Sequence, residues 1–162
     1  MKNKADSQTK LLIEIFDQAF DKPSWHGTNL RGSVRGLTIQ QLLWRPGPKR
    51  HNIWEIALHA AYWKYAVHRR MTGGEKGLFP RKPSNYPAIP KKPNKSSWQE
   101  DLELLTEWHK KLRQIILEFP MTRWNECPPE SRWTFLQTAY GVASHDLYHA
   151  GQIQLLKRLQ KG

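Results

Sequence analysis

The sequence predicts an all-α fold, a four-helix bundle. Three observations carry that prediction. Four long stretches place apolar residues at the i, i+3, i+4, i+7 spacing of a helix with one buried face. Their starts carry Ser, Thr, Asn or Asp caps, most with Glu or Gln three residues on. No stretch of useful length alternates apolar and polar residues as a half-buried strand does. The 162 residues fit a single domain, residues 1–162, long enough to bury one core.

The first long helix is expected from about Asp6 to Phe20, with Leu11, Leu12, Ile15, Phe16 and Ala19 as its stripe. Asp6 or Ser7 caps it, and Pro23 stops it. A loop through Trp25-His26-Gly27, Gly32 and Gly36 follows. Thr38 and Gln41 then open a short helix that ends at Pro46-Gly47-Pro48. The second long helix runs from near Asn52, paired with Glu55, to about Met71, where Gly73-Gly74 closes it. The third opens at Ser97 with Glu100 as its box. It carries the stripe Leu102, Leu105, Trp108, Leu112, Ile115, Ile116 and Phe119, and ends at Pro120. The fourth starts near Thr134, boxed with Gln137, and runs to about Gln160. Two connections of about 30 and 25 residues are long for a bundle and allow crossovers.

Twenty-six basic residues against 14 acidic ones leave a net charge of +12, which raises the question of a nucleic-acid partner. The densest basic run, Arg69 to Lys95, is broken by Pro80, Pro83, Pro87, Pro90 and Pro93. Such a loop does not lie in a groove as a helix does, and no zinc-finger, helix-turn-helix or RNP pattern is present. It reads as a solvated basic loop, with no specific nucleic-acid partner expected. The single cysteine, Cys127, excludes an internal disulfide and fits a reducing compartment. Met1 to Lys10 is polar, without the apolar core of a signal peptide. No apolar run approaches the roughly 18–20 residues that span a bilayer. A soluble, cytoplasmic protein without a membrane partner is expected. Eight Trp residues suit a core and the walls of a pocket.

His145 and His149 lie four apart in the last long helix, on a face shared with Val142, Ile153, Leu156 and Leu159. At that spacing two side chains are neighbours, with Cβ atoms about 5–6 Å apart. Each polar ring buried without a partner costs about 1–3 kcal/mol. A transition metal would satisfy both rings but needs a third ligand. His51 beside Arg50 and His68 beside Arg69 read as exposed and idle. His109, at the edge of its stripe, reads as a core histidine with a backbone partner. His59 sits mid-helix among Ile56, Tyr62 and Trp63, and reaches the interior, where bundle metal sites are built from facing helices. His59, His145 and His149 are therefore the candidate ligands. Three neutral imidazoles leave a coordination position open, as catalytic rather than structural zinc sites do.

Around them, Glu55 is a candidate acceptor or base one turn before His59, or simply an acidic residue suited to a helix N-terminus. Gln152, one turn after His149, is a candidate pocket residue or ligand partner. Asp146 points about 100° away from His145, so its role depends on a neighbouring helix. Trp63, Tyr148 and His26 are candidates for walls or substrate contacts.

Trp54-Glu55-Ile56-Ala57-Leu58-His59 and His145-Asp146-Leu147-Tyr148-His149-Ala150-Gly151-Gln152-Ile153 resemble the two metal-site motifs of the DinB/YfiT-like superfamily. These are bacterial four-helix bundles unrelated to the polymerase that shares the DinB name. The resemblance extends to the Trp25-His26-Gly27 turn and the proline-glycine lead into the second long helix. It implies an up-down-down-up bundle, frequent homodimers, and a divalent ion, nickel or zinc, on a three-histidine set. Carried over by motif, that set is His59, His145 and His149.

The resemblance leaves the reaction open, because relatives include thiol-dependent transferases and isomerases, hydrolases and stress proteins. The first expectation is a metal-dependent enzyme of thiol S-transferase or hydrolase type. It would act on a small molecule, with a low-molecular-weight thiol as a candidate cosubstrate. A bound divalent ion polarises a substrate, or lowers the pKa of a bound water or thiol. Thiolate suits soft or borderline ions. The alternatives are a non-enzymatic metal-binding and dimerisation module, and a basic nucleic-acid-binding protein. Cys127, in a proline-rich loop, does not read as a nucleophile.

Overall fold

The computed structural model describes residues 6–162; the first five residues of the polar stretch Met1–Lys10 lie outside it. It is all-helical, with no strand among the described residues. The order is α1 (Ser7–Phe20), α2 (Leu30–Ser33), α3 (Ile39–Leu43), α4 (Ile53–Thr72), α5 (Lys95–Glu118), a 3-10 turn (Met121–Arg123) and α6 (Phe135–Leu159).

The ends of the helices follow local chemistry. Asp6 caps α1 by accepting from the N–H groups of Gln8 and Thr9. Thr38 with Gln41, Asn52 with Glu55, and Thr134 with Gln137 form reciprocal capping boxes on α3, α4 and α6. Gly73, at φ 71°, ends α4 in the left-handed conformation that glycine adopts without a Cβ clash. The start of α5 differs from expectation. Asn94 is the cap and Ser97 its reciprocal partner, so the helix begins one turn before the predicted Ser97. Either side chain could accept from a backbone N–H; Asn94 lies further upstream and wins. The first long connection is filled in part by α2, which the glycine-rich sequence did not suggest.

Side-chain contacts set the helix directions. Trp54 meets Trp98 and Asp101, whereas Tyr65 and His68 meet Trp108, so α4 and α5 run the same way. Asp17 binds Arg113 while Phe20 stacks on His109, so α1 opposes α5. Along α6 the order His145, Val142, Thr138 faces His59, Trp63, Val67 of α4, so these two helices oppose one another.

One part of the core gathers Ile53, Trp54, Leu58, Ala61, Leu105 and Ile153; the other gathers Phe16, Val67, Leu112, Ile116, Phe135 and Val142. Three expected core positions are exposed. Leu11 and Ile15 of α1 are exposed, as is Leu159 at the end of α6. Burial on α1 falls on the expected Leu12, Phe16 and Ala19 and also on Phe20, the side turned toward α5 and α6.

The proline-rich connection is largely exposed, as expected, but it is tied down. Arg81 pairs with the buried Asp101 at 2.8 Å, and Asp101 also accepts the Trp54 indole N–H at 2.9 Å. Phe79 and Pro87 are buried. These anchors hold the intervening Asn85 and Tyr86 over α4.

Candidate metal centre

The three predicted histidines meet. His59 and His149 each place Nε2 3.0 Å from Nε2 of His145. His59 and His149 are buried and His145 is half-buried. Helix geometry brings the pair on α6 together, and the opposed packing of α4 and α6 supplies the third ring.

The outer nitrogens decide which lone pairs face inward. His59 Nδ1 donates to the Asn85 carbonyl at 2.6 Å. His149 Nδ1 donates to Gln152 Oε1 at 2.7 Å. With Nδ1 protonated on both rings, each Nε2 presents a lone pair to His145. His145 has at most one Nε2 hydrogen to share between two acceptors 3.0 Å away. Its own Nδ1 is buried without a partner. A single cation satisfies all three nitrogens at once. Two nitrogens each about 2.0–2.1 Å from one ion stand roughly 3 Å apart, so the observed separations fit a shared ion. The three rings could hold a metal ion; no donor in the set favours one metal over another.

Protons do not compete strongly for these nitrogens at neutral pH. Burial, followed by the charges of neighbouring rings, holds His145 down at about 3. Burial lowers His59 to about 4 against the pull of the Asn85 carbonyl, and it also lowers His149. All three rings are neutral at pH 7, the form that ligates metal.

Glu55 lies outside this contact. It closes the α4 capping box, pairs with Arg45 through both carboxylate oxygens at 2.6 and 2.7 Å, and meets His51 at 3.2 Å. His51 was expected to be idle. It stacks on Tyr86 at 3.8 Å, and Tyr86 stacks on His59 at 3.9 Å, so Glu55 reaches the centre only through two rings. Gln152 touches the centre directly. Tyr148 packs its ring edge-on, 5.1 Å from His149, and is otherwise exposed. His26 lines a separate groove with Thr28 and Gln154, so the structure does not bring it to the histidines. His68, also expected to be exposed, is half-buried edge-on to Trp108. His109 has no backbone partner: it is buried between Phe16 and Phe20, with Nδ1 unpaired.

Sequence reasoning missed Asn85, Tyr86 and Lys64. Nothing in the loop sequence marks Asn85 as a partner for His59 and Trp63, because the contact is made across the fold. Lys64 did carry a signal. It is a lone charge on the face of Ala57, Ala60, Ala61 and Val67, and Asp146 is a lone opposite charge on the face of Val142, Ala143, Ala150 and Ile153. The two form a fully buried ion pair.

His59 and His145 open onto a cleft of about 530 Å3 whose lining includes Trp63, Val67, Arg70, Trp133, Gln137 and Val142. A larger cavity of about 960 Å3 lies between Arg35 and Leu37 on one side and Trp98 and Leu102 on the other; no predicted site residue lines it. Among the described residues no helix is long and apolar enough to cross a membrane.

Fold and site together define a helical bundle with a three-imidazole candidate metal centre beside a cleft. The family model of the DinB superfamily matches residues 24–153, a span that includes all three histidines, and the chain belongs to that superfamily. No curated protein and no solved structure matches it.

Proposed function

We propose that the protein binds a divalent ion through His59, His145 and His149 and acts as an enzyme on a small molecule in the adjoining cleft. The observation that carries this reading is the convergence of three neutral imidazole nitrogens, two with fixed lone pairs, on a cluster whose His59 and His145 line an accessible cavity. A structural site would be expected to close four protein ligands around the ion; this cluster offers three. When bound, a nickel or zinc ion would supply Lewis acidity and activate a water or a low-molecular-weight thiol. The chain's own contribution is orientation. The Asn85 carbonyl and Gln152 hold two rings in the ligating tautomer, and such outer contacts sharpen metal affinity. Glu55 supports the same geometry through His51 and Tyr86 rather than by proton transfer, since its oxygens are engaged by Arg45. Trp63 and Trp133 wall the cleft.

A homodimer is part of this reading. Tyr140, Tyr148 and Leu155 on α6 and Leu11 on α1 are exposed apolar side chains, and α1 packs on α6. Burying such residues against a second copy would stabilise the pair.

Metal analysis of the purified protein tests the first claim, and a thiol-consumption assay with a panel of electrophiles tests the second. Stoichiometric divalent ion, lost in His145→Ala, is expected. Metal-free protein that takes up no nickel or zinc would remove the site and the enzymatic reading with it.

A further inference from the structure

The cleft beside the histidines holds a cation without a counter-charge. Arg70, in the last turn of α4, lines it, and the lining includes no Asp or Glu. Arg45, Arg81, Arg113 and Arg123 each meet a carboxylate; among the described residues Arg70 forms no such pair. Its guanidinium carbon lies 5.6 Å from the centroid of the Trp63 ring. That indole is in turn 6.3 Å from the His145 ring and 6.4 Å from the His59 ring.

The helix explains the alignment. His59, Trp63, Val67 and Arg70 follow one another at spacings of four, four and three, so they share one face. Side chains on a helix lean toward its N-terminus, so the long arginine reaches back over the indole toward the histidines. Arg69 shares the favourable position at the helix C-terminus but does not line the cleft. The dipole accounts for a basic residue there; it does not account for one turned into the cavity.

We propose that the cleft takes a small organic anion with a flat apolar body, in the manner of an aromatic carboxylate. The carboxylate sits on Arg70, the body lies against Trp63 and Trp133, and the opposite end faces His59 and His145. The planar guanidinium fork matches a carboxylate with two parallel N–H donors, and the indole walls make that pairing stronger than it is in open water. This assignment rests on the reading of the cleft as the substrate site.

Benzoate and its neutral isostere benzamide are the probes, titrated against tryptophan fluorescence in protein as purified and again after chelation. Metal content is measured on the same samples. Saturable benzoate quenching is expected in both preparations, with benzamide at least tenfold weaker. Arg70→Gln should weaken benzoate at least tenfold and leave benzamide unchanged. Arg70→Lys should fall between, and Arg69→Gln should match wild type. Equal benzoate affinity in wild type and Arg70→Gln, or equal affinity for the two probes in wild type, overturns the proposal. Failure of the metal reading shows separately, as protein without metal that still binds benzoate through Arg70.

Discussion

Two groups of buried polar side chains sit side by side on α6 and differ in what they need. Asp146 and Lys64 are fully buried and pair through one carboxylate oxygen. The Lys64 ammonium also lies 4.9 and 5.1 Å from the Phe16 and Phe20 rings, and His109 is stacked on those same rings. One residue earlier, His145 turns out of the core to meet His59 and His149. The first group contains both signs of charge. The second turns ring nitrogens with lone pairs toward one another beside a cleft, an arrangement that a cation would satisfy. A buried ion pair serves the fold; a cluster of imidazole lone pairs beside a cleft suits a cation.

The largest expected effect separates the two groups by stability. Removing one member of a buried ion pair leaves the other charged and unpaired, at a cost of about 3–5 kcal/mol. Asp146→Ala should lose about that much in urea unfolding with chelator present. The double variant Lys64→Met, Asp146→Leu should recover most of it. A single variant within 1 kcal/mol of wild type would show that the pair does not hold the bundle.

The next effect runs the other way. Under chelation, His145→Ala should change stability by less than about 1 kcal/mol, since it relieves a crowd of lone pairs and an orphaned nitrogen. Its affinity for nickel or zinc should fall at least 100-fold, with His51→Ala unchanged. Metal binding should raise the melting temperature of wild type, as binding to the native state alone requires. A His145→Ala protein that still shows that rise would break the contrast.

His109 sharpens it by pH. Burial, then the charges of Lys64 and Arg113, pushes its pKa down from 6.5 to about 2. The folded state therefore binds fewer protons than the unfolded state between those values. Its contribution to stability is complete above about pH 6.5 and is lost as pH falls toward 2, at up to about 1.4 kcal/mol per pH unit. Urea unfolding of chelated wild type and His109→Phe between pH 7.5 and 4.5 should diverge, with wild type losing roughly 2–3 kcal/mol more. Parallel curves would mean that His109 is not held neutral by the core.

The smallest effect concerns orientation. Gln152→Ala should weaken metal binding about tenfold without lowering stability under chelation, because it frees the tautomer of one ring only. A change equal to that of His145→Ala would make Gln152 a ligand rather than a partner of one.

The sequence by itself determined the helices and the three imidazoles. Periodicity, capping boxes and Gly73 are local signals, and local signals survive without tertiary context. The i, i+4 pair His145 and His149 is likewise local, since α6 alone makes them neighbours. His59 was legible as the third candidate from its interior position on another helix, but its meeting with the pair is made by packing. Tertiary structure decided the rest. Side chains from different elements meet only when packing fixes helix rotation and loop path. That packing turned Leu11 and Ile15 outward, paired Lys64 with Asp146, and drew Asn85 and Tyr86 over His59. It also took both oxygens of Glu55 for Arg45, an outcome that no spacing along the chain encodes.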